Sequence, residues 1–259
     1  MLPSISKFFV KSSKIYLSVF TKMWPYFIIL AVFSFVILLK DISNVVLVDL
    51  IKNVYLRTSL IGLAAFIFSL LSFSLSISIV RFFSAFVTNS ILPKFFSNLK
   101  ESFFIAWKHV GLVLIFMIPT ILIYSIFIAS LAGVLSFGQM IISNFVLLFL
   151  LLLVVLWFVV LGQAVALENA GSFASIKNSI FLVKGRVFES FLLTALPLLL
   201  VSIVFNLIFD SILTIFLSTD SWFYSLLLLF AVICIFSFSL LLTTLLYFEL
   251  KNNKNIENV

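Results

Sequence analysis

Residues 222–248 read WFYSLLLLFAVICIFSFSLLLTTLLYF, a run without one charged side chain. A bilayer core about 30 Å thick takes about 20 residues of helix, and at that depth every backbone N–H and C=O must find a partner inside the segment. A membrane-spanning helix is therefore expected here, and the rest of the chain repeats the pattern. Apolar runs of the same kind cover 24–39, 58–80, 110–135, 145–167 and 187–209. The first is short for a full span and is expected to extend backwards towards Ile15. Residues 72–78, Ser-Phe-Ser-Leu-Ser-Ile-Ser, alternate as a strand would. A lone strand leaves its backbone unpaired in lipid, so helix is expected there too, with Ser72/Ser76 and Ser74/Ser78 as small-residue pairs suited to close helix contact.

Composition agrees. Of 259 residues, 64% are hydrophobic and 10% charged, against roughly 45–50% and about 25% in soluble domains, which excludes a soluble globular enzyme. With 34 Phe but only 7 Gly and 5 Pro, collagen-like and disordered classes are excluded as well. The expected fold class is all-α: a polytopic membrane helical bundle of six transmembrane helices, forming one integral membrane domain over residues 1–259. The basic segment 1–22 superficially resembles a signal peptide, but no small-residue cleavage site follows Leu39, so an uncleaved anchor is expected. Cys234 is the single cysteine and His109 the single histidine. No intramolecular disulfide, metal site or cofactor is expected from them.

Six spans put the intervening segments on alternating sides, and the Lys/Arg partition then tests orientation. One side holds Lys7, Lys11, Lys14, Lys22, Arg81, Lys94, Lys100, Lys108, Lys177, Lys184, Arg186, Lys251 and Lys254; the other holds only Lys40, Lys52 and Arg57. By the positive-inside rule both termini are expected in the cytoplasm. A miscount by one helix would scramble this separation. The outer loops carry Asp41, Asp49, Asp210 and Asp220, so the net charge of +7 forms a cytoplasmic collar and not a nucleic-acid footprint.

The cytoplasmic segments are amphipathic. Between Leu92 and Lys108, the residues Leu92, Phe95, Phe96, Leu99, Phe103, Ala106 and Trp107 fall at helical spacing, with Lys94, Asn98, Lys100, Glu101 and Lys108 largely opposite. Such a helix belongs in the headgroup layer, aromatics in acyl chains and lysines near anionic phosphates. The N-terminus repeats the arrangement, with Ile5, Phe8, Phe9, Tyr16, Val19 and Phe20 against its lysines. A third helix spans Ser172 to Val187, with Phe173, Ile176, Ile180, Val183 and Val187 on one face. Residues 99–106 align with 176–183 at an offset of 77, keeping Lys100/Lys177, Ser102/Ser179 and Phe104/Phe181. Ser18 and Phe20 match Ser102 and Phe104 more loosely. The expected unit is an interfacial helix plus two spans, present three times in parallel.

The most specific stretch runs from Ala166 to Arg186, ALENAGSFASIKNSIFLVKGR. Glu168 ends the fourth span, Asn169 and Gly171 suit a left-handed helix C-cap, and Ser172 suits the N-cap of the next helix. Gly185 then lets the chain turn into the fifth span. This stretch resembles the Glu-Asn-x-Gly … Ala-x-Lys-x-Ser-x-x-Leu-Val-Lys-Gly signature of six-span prokaryotic membrane proteins. That family includes the YciC-like proteins and the membrane domain associated with glycerophosphodiester phosphodiesterases. The match comprises Glu168, Asn169, Gly171, Ala174, Lys177 (one place off the family spacing), Ser179, Leu182, Val183, Lys184 and Gly185. Leu246-Tyr-Phe-Glu-Leu-Lys251 is similar to the family's Leu-Tyr-x-Asp-x-Arg ending, with Glu and Lys in place of Asp and Arg. The resemblance implies a bacterial inner-membrane protein and brings no catalytic chemistry with it.

Lipid or partner binding is expected at Glu168, Asn169, Lys177, Lys184, Arg186, Lys94 and Lys100. Glu168 beside Lys177 or Lys184 could hold a headgroup or a proton, against the plainer reading of a helix-end carboxylate paired with a lysine. Gln163 and Asn206 lie within spans, where a bond to a neighbouring helix is the default. Trp24, Trp107, Trp222, Tyr26 and Tyr247 are expected in interfacial belts and Trp157 in packing. No span carries a charge near its middle, which counts against ion-coupled transport, and no catalytic constellation is present. The expectation is a non-catalytic membrane protein binding anionic lipid headgroups or an envelope partner. A permease with a cavity near Gln163 or Asn206 is the alternative. A lipid enzyme using Glu168 as acid or base ranks last, and it requires a second polar side chain within hydrogen-bond reach.

Overall fold

The computed structural model describes residues 3–32, 54–112, 114, 159–168, 170–208 and 222–257; no strand occurs among the described residues. Helix α1 (Ile5–Val19) passes through a 3-10 turn at Phe20–Met23 into α2, residues 24–32. Pro25 accounts for the break, since it has no N–H to bond backwards and its fixed φ suits the start of a new helix. Then follow α3 (Val54–Val87), α4 (Phe95–Lys108), α5 (Leu161–Leu167), α6 (Ser172–Val183), α7 (Val187–Ile208) and α8 (Trp222–Glu257).

Three helical stretches, Ile5–Val32, Phe66–Val87 and Leu229–Lys254, are long and apolar enough to cross a bilayer. At 1.5 Å per residue, α3 measures about 51 Å and α8 about 54 Å, against about 30 Å of hydrocarbon core. Their ends therefore reach beyond lipid. The alternating serines at 72–78 are helical, as the backbone argument requires. Of the expected spans, most of 110–135 and 145–167 and the end of 24–39 lie outside the described residues, as does Trp157.

The turns have local causes. After α3, Asn89 adopts a left-handed φ of 52°, and Ser90 N–H reaches back to the Ala85 carbonyl at 2.9 Å, a Schellman-type closure of the helix end. After α6, Gly185 takes φ 84°, the conformation a Cβ resists, and the Arg186 N–H closes on the Val183 carbonyl at 2.9 Å. Only three residues separate α6 from α7. The caps before α6 differ from expectation. Gly171, at φ −72° and ψ 167°, is the N-cap, and Ser172 is the first helical residue. The preceding helix ends on Glu168 in extended conformation, so no left-handed residue is needed at Gly171.

Helices α3, α5 and α8 touch one another; α4 lies on α3, α6 on α5, and α1 against both α7 and α8. Leu75, Ile79 and Phe83 of α3 and Leu241, Leu242, Leu245 and Leu246 of α8 form the core with Phe8, Val19, Met23 and Tyr26. A second cluster joins Ile77 and Val80 to Ala106, Leu161 and Val165.

The short helices turn a mixture of small, polar and apolar side chains towards their neighbours. Helix α4 starts at Phe95, after Leu92 and Pro93, and buries Asn98, Ser102 and Ala106. Helix α6 buries Ser175, Ser179, Leu182 and Val183, and α1 buries Phe8, Ser12 and Val19. Asn98, expected on the solvent side, is inside, whereas Phe96, Phe103, Phe104, Trp107, Phe173 and Phe181 are exposed. Helices packing in lipid have no hydrophobic drive towards each other, so small residues that allow close approach go inwards and aromatics go out. In α1 the buried hydroxyl is that of Ser12, while Ser18 is exposed and donates to the Ile15 carbonyl at 2.7 Å.

Candidate functional site at Glu168

Glu168 ends α5 with its side chain turned onto two other helices. Its Oε1 accepts the Tyr247 hydroxyl of α8 at 2.6 Å, and its Oε2 accepts Asn178 Nδ2 of α6 at 2.6 Å. Lys251 Nζ lies 3.8 Å from Oε1, donates to the Tyr247 hydroxyl oxygen at 3.0 Å, and sits 5.3 Å from the centre of the Tyr247 ring. One turn of α8 thus places Tyr247 and Lys251, four residues apart, on the same face. Ammonium, phenol and carboxylate form a continuous chain of bonds, with an amide closing the other carboxylate oxygen.

This corrects the expected surroundings of Glu168. Among the described residues its ion-pair partner is Lys251, whereas Lys177 and Lys184 are exposed and form no ion pair there. Tyr247 is not a belt residue but 1% exposed. Asn178, Tyr247 and Lys251 were not singled out by the sequence as partners of Glu168, although Tyr247 and Lys251 belong to the closing Leu-Tyr-Phe-Glu-Leu-Lys stretch. Asn169 lies outside the described residues. Arg186 is partly buried in the turn between α6 and α7. The hydrogen-bonding neighbours that an acid or base role for Glu168 requires are present. Yet both carboxylate oxygens already accept short bonds, so the group is held as a tie between α5, α6 and α8.

Further polar ties join the amphipathic helices α4 and α1 to long ones. Arg81 Nη2 of α3 reaches Glu101 Oε2 of α4 at 2.5 Å, with Ser97 Oγ donating to Glu101 Oε1 at 3.2 Å. The Arg81 guanidinium, through that hydrogen bond first and its charge second, holds the Glu101 carboxyl below its usual range. Beneath this pair, Asn98 Nδ2 donates to the Ser78 carbonyl at 2.7 Å and to the Tyr26 hydroxyl oxygen at 2.9 Å. Tyr26, expected in an interfacial belt, is therefore buried between α3 and α4. Lys11 Nζ of α1 lies 2.7 Å from Glu249 Oε1 of α8, and the Tyr16 hydroxyl shares a 2.7 Å bond with Ser237.

His109 caps α4, its Nδ1 3.0 Å from the Ile105 carbonyl and its Nε2 3.1 Å from that of Ala170, linking α4 to the loop after Glu168. Gln163 is buried and donates to Thr243 Oγ1 at 2.5 Å, the neighbouring-helix bond expected of it. The Asn206 side chain lies outside the described residues. Trp24 and Trp107 are exposed, as interfacial residues are. Lys94 and Lys100 are also exposed, without an ion pair among the described residues. No group of three or more His, Cys, Asp or Glu placed to hold a metal occurs among the described residues.

Apolar helices of this length, with buried serines and amides where they pack, are the construction of an integral membrane protein. No family model, curated protein or solved structure matches the chain.

Proposed function

We propose that the chain is a non-catalytic, six-span protein of the bacterial inner membrane whose cytoplasmic collar of amphipathic helices binds anionic lipid headgroups. One observation carries this reading. The amphipathic helices are fixed by their inner faces, while exposed aromatics such as Phe96 and Phe173 stand beside Lys94, Lys100 and Lys177, which form no ion pair among the described residues. Aromatics in acyl chains with ammonium groups at phosphate height are the chemistry of an anionic membrane surface.

The same reading takes the chain as three units, each an amphipathic helix followed by two spans, with both termini in the cytoplasm. It is supported by the order of contacts: α4 lies on the long helix before it, α6 on the helix before it, and α1 against α7 and α8, the last two helices of the chain. The first unit thereby closes on the third. Ser12, Ser102 and Ser179 occupy comparable buried positions in the three short helices. Kinship with the YciC-like family belongs to the proposal, supported by the meeting of Glu168 and Tyr247, which come from the two stretches that carry the resemblance. The permease alternative is weakened by Gln163, whose amide is committed to Thr243.

Purification in a mild, lipid-preserving detergent followed by native mass spectrometry tests the proposal. Co-purifying anionic phospholipid is expected, reduced when Lys94, Lys100, Lys177 and Lys184 are changed together to Gln. Retained lipid that is zwitterionic, or indifferent to those four changes, would overturn it.

A further inference from the structure

Helix α1 carries Lys7, Lys11 and Lys14 at positions i, i+4 and i+7, and with Ser6 and Val10 they line one open hollow on its surface. The opposite face is fixed by burial of Phe8, Ser12 and Val19, so the three lysines are held as a group on one side. Among the described residues, a single carboxylate answers them, that of Glu249, on Lys11 at 2.7 Å. That pair is open to solvent, with the Lys11 side chain 51% and the Glu249 side chain 27% exposed. An ion pair so exposed is weak and easily exchanged. Val10 and Leu17, on the same helix, are exposed apolar side chains suited to acyl chains.

We propose that Lys7, Lys11 and Lys14 form a discrete site for the phosphate of one anionic phospholipid, and that this phosphate competes with Glu249 for Lys11. The inference deepens the collar reading and rests on it. The excess of two positive charges in the hollow matches a phosphodiester better than a neutral headgroup. Because Lys11–Glu249 is one of the polar ties between α1 and α8, beside Tyr16–Ser237, occupancy of the site would remove that ion pair and leave the deeper hydroxyl bond in place. Lipid binding and the Lys11–Glu249 ion pair then oppose one another through one ammonium group.

The test is native mass spectrometry of the detergent-solubilised protein titrated with short-chain phosphatidylglycerol, with phosphatidylcholine as the neutral comparison. The K7Q/K14Q variant is expected to bind the first phosphatidylglycerol more weakly by at least about fivefold, the weight of one basic residue at a membrane surface. E249Q is expected to bind it more tightly, because it releases Lys11. K7R/K14R, which keeps the charges, restores binding. The matched pair K94Q/K100Q removes the same charge elsewhere and changes the first binding step less. Equal weakening by both pairs would overturn the discrete site while leaving the collar intact. No effect of either pair would remove both. Unchanged or weaker binding by E249Q would overturn the competition with Glu249.

Discussion

Tyr247 and Glu168 stand 79 positions apart in the chain, and the tyrosine hydroxyl donates to Glu168 Oε1 at 2.6 Å. A bond to a charged acceptor stabilises by about 1.5–3 kcal/mol in water-soluble proteins, but polar contacts between membrane helices average about 0.6 and reach about 1.7 kcal/mol. The site lies at the edge of the apolar region, so Tyr247→Phe is expected to cost about 1–2 kcal/mol in unfolding free energy, read from denaturant titration in micelles. Glu168→Gln is expected to cost more, since its amide cannot accept from both Tyr247 and Asn178. The double variant should fall short of the sum of the two singles. An unchanged midpoint for Tyr247→Phe would contradict the tie.

Asn98 serves α3 and α2 at once through Ser78 and Tyr26. Asn98→Ala removes both bonds from a buried site and is expected to destabilise by about 1–3 kcal/mol. Lys100→Ala, two residues along on the exposed side, should stay within about 0.5 kcal/mol. Equal effects in the same unfolding assay would mean that the inner face of α4 is wrongly assigned.

Glu101 gives a pH signature. Arg81 lowers its folded pKa, so the folded state binds the proton less readily than the unfolded one. The resulting stabilisation is present above the ordinary glutamate value of about 4.3 and is lost as pH falls through the lower folded value. Glu101→Gln should therefore flatten the acid limb of a stability-against-pH curve in that window and leave its slope near neutrality unchanged. An identical acid limb would sink the assignment.

The two glycines flanking α6 should differ in cost when changed to alanine. Gly185 has φ 84° and Gly171 has φ −72°, and an added Cβ meets nothing within 4 Å at either. Backbone conformation then decides at Gly185, and the N-cap preference at Gly171. Gly185→Ala is expected to cost about 1–2 kcal/mol, the left-handed penalty for a residue with a Cβ, while Gly171→Ala, at an N-cap whose φ any residue adopts, is expected to cost less, about 0.5 kcal/mol, from the poorer N-cap alone. Thermal unfolding of the two variants side by side checks it.

The long helices were legible because apolar runs in lipid have one backbone solution, and Gly185 was legible because its role is local. The faces of the short helices were not. Reading polar as outward puts Asn98 in water, but beside lipid the exterior is also apolar, and Asn98 finds its partners inside. Tyr247 misled for a related reason: a tyrosine near a span end suits an interfacial belt equally well, and only the distant Glu168 distinguishes the two. The stretch around Glu168 stood out in sequence, but its lysine came from α8 and not from its own segment.

Sidedness of the three amphipathic helices tests the central claim most directly. In a Cys234→Ser background, single variants Lys14→Cys, Lys100→Cys, Lys177→Cys, Asp49→Cys and Asp220→Cys can be exposed to a membrane-impermeant thiol reagent in intact cells. A cytoplasmic collar requires that positions 14, 100 and 177 stay unlabelled until the membrane is permeabilised, while 49 and 220 label at once. Labelling of any of the first three in intact cells would contradict it.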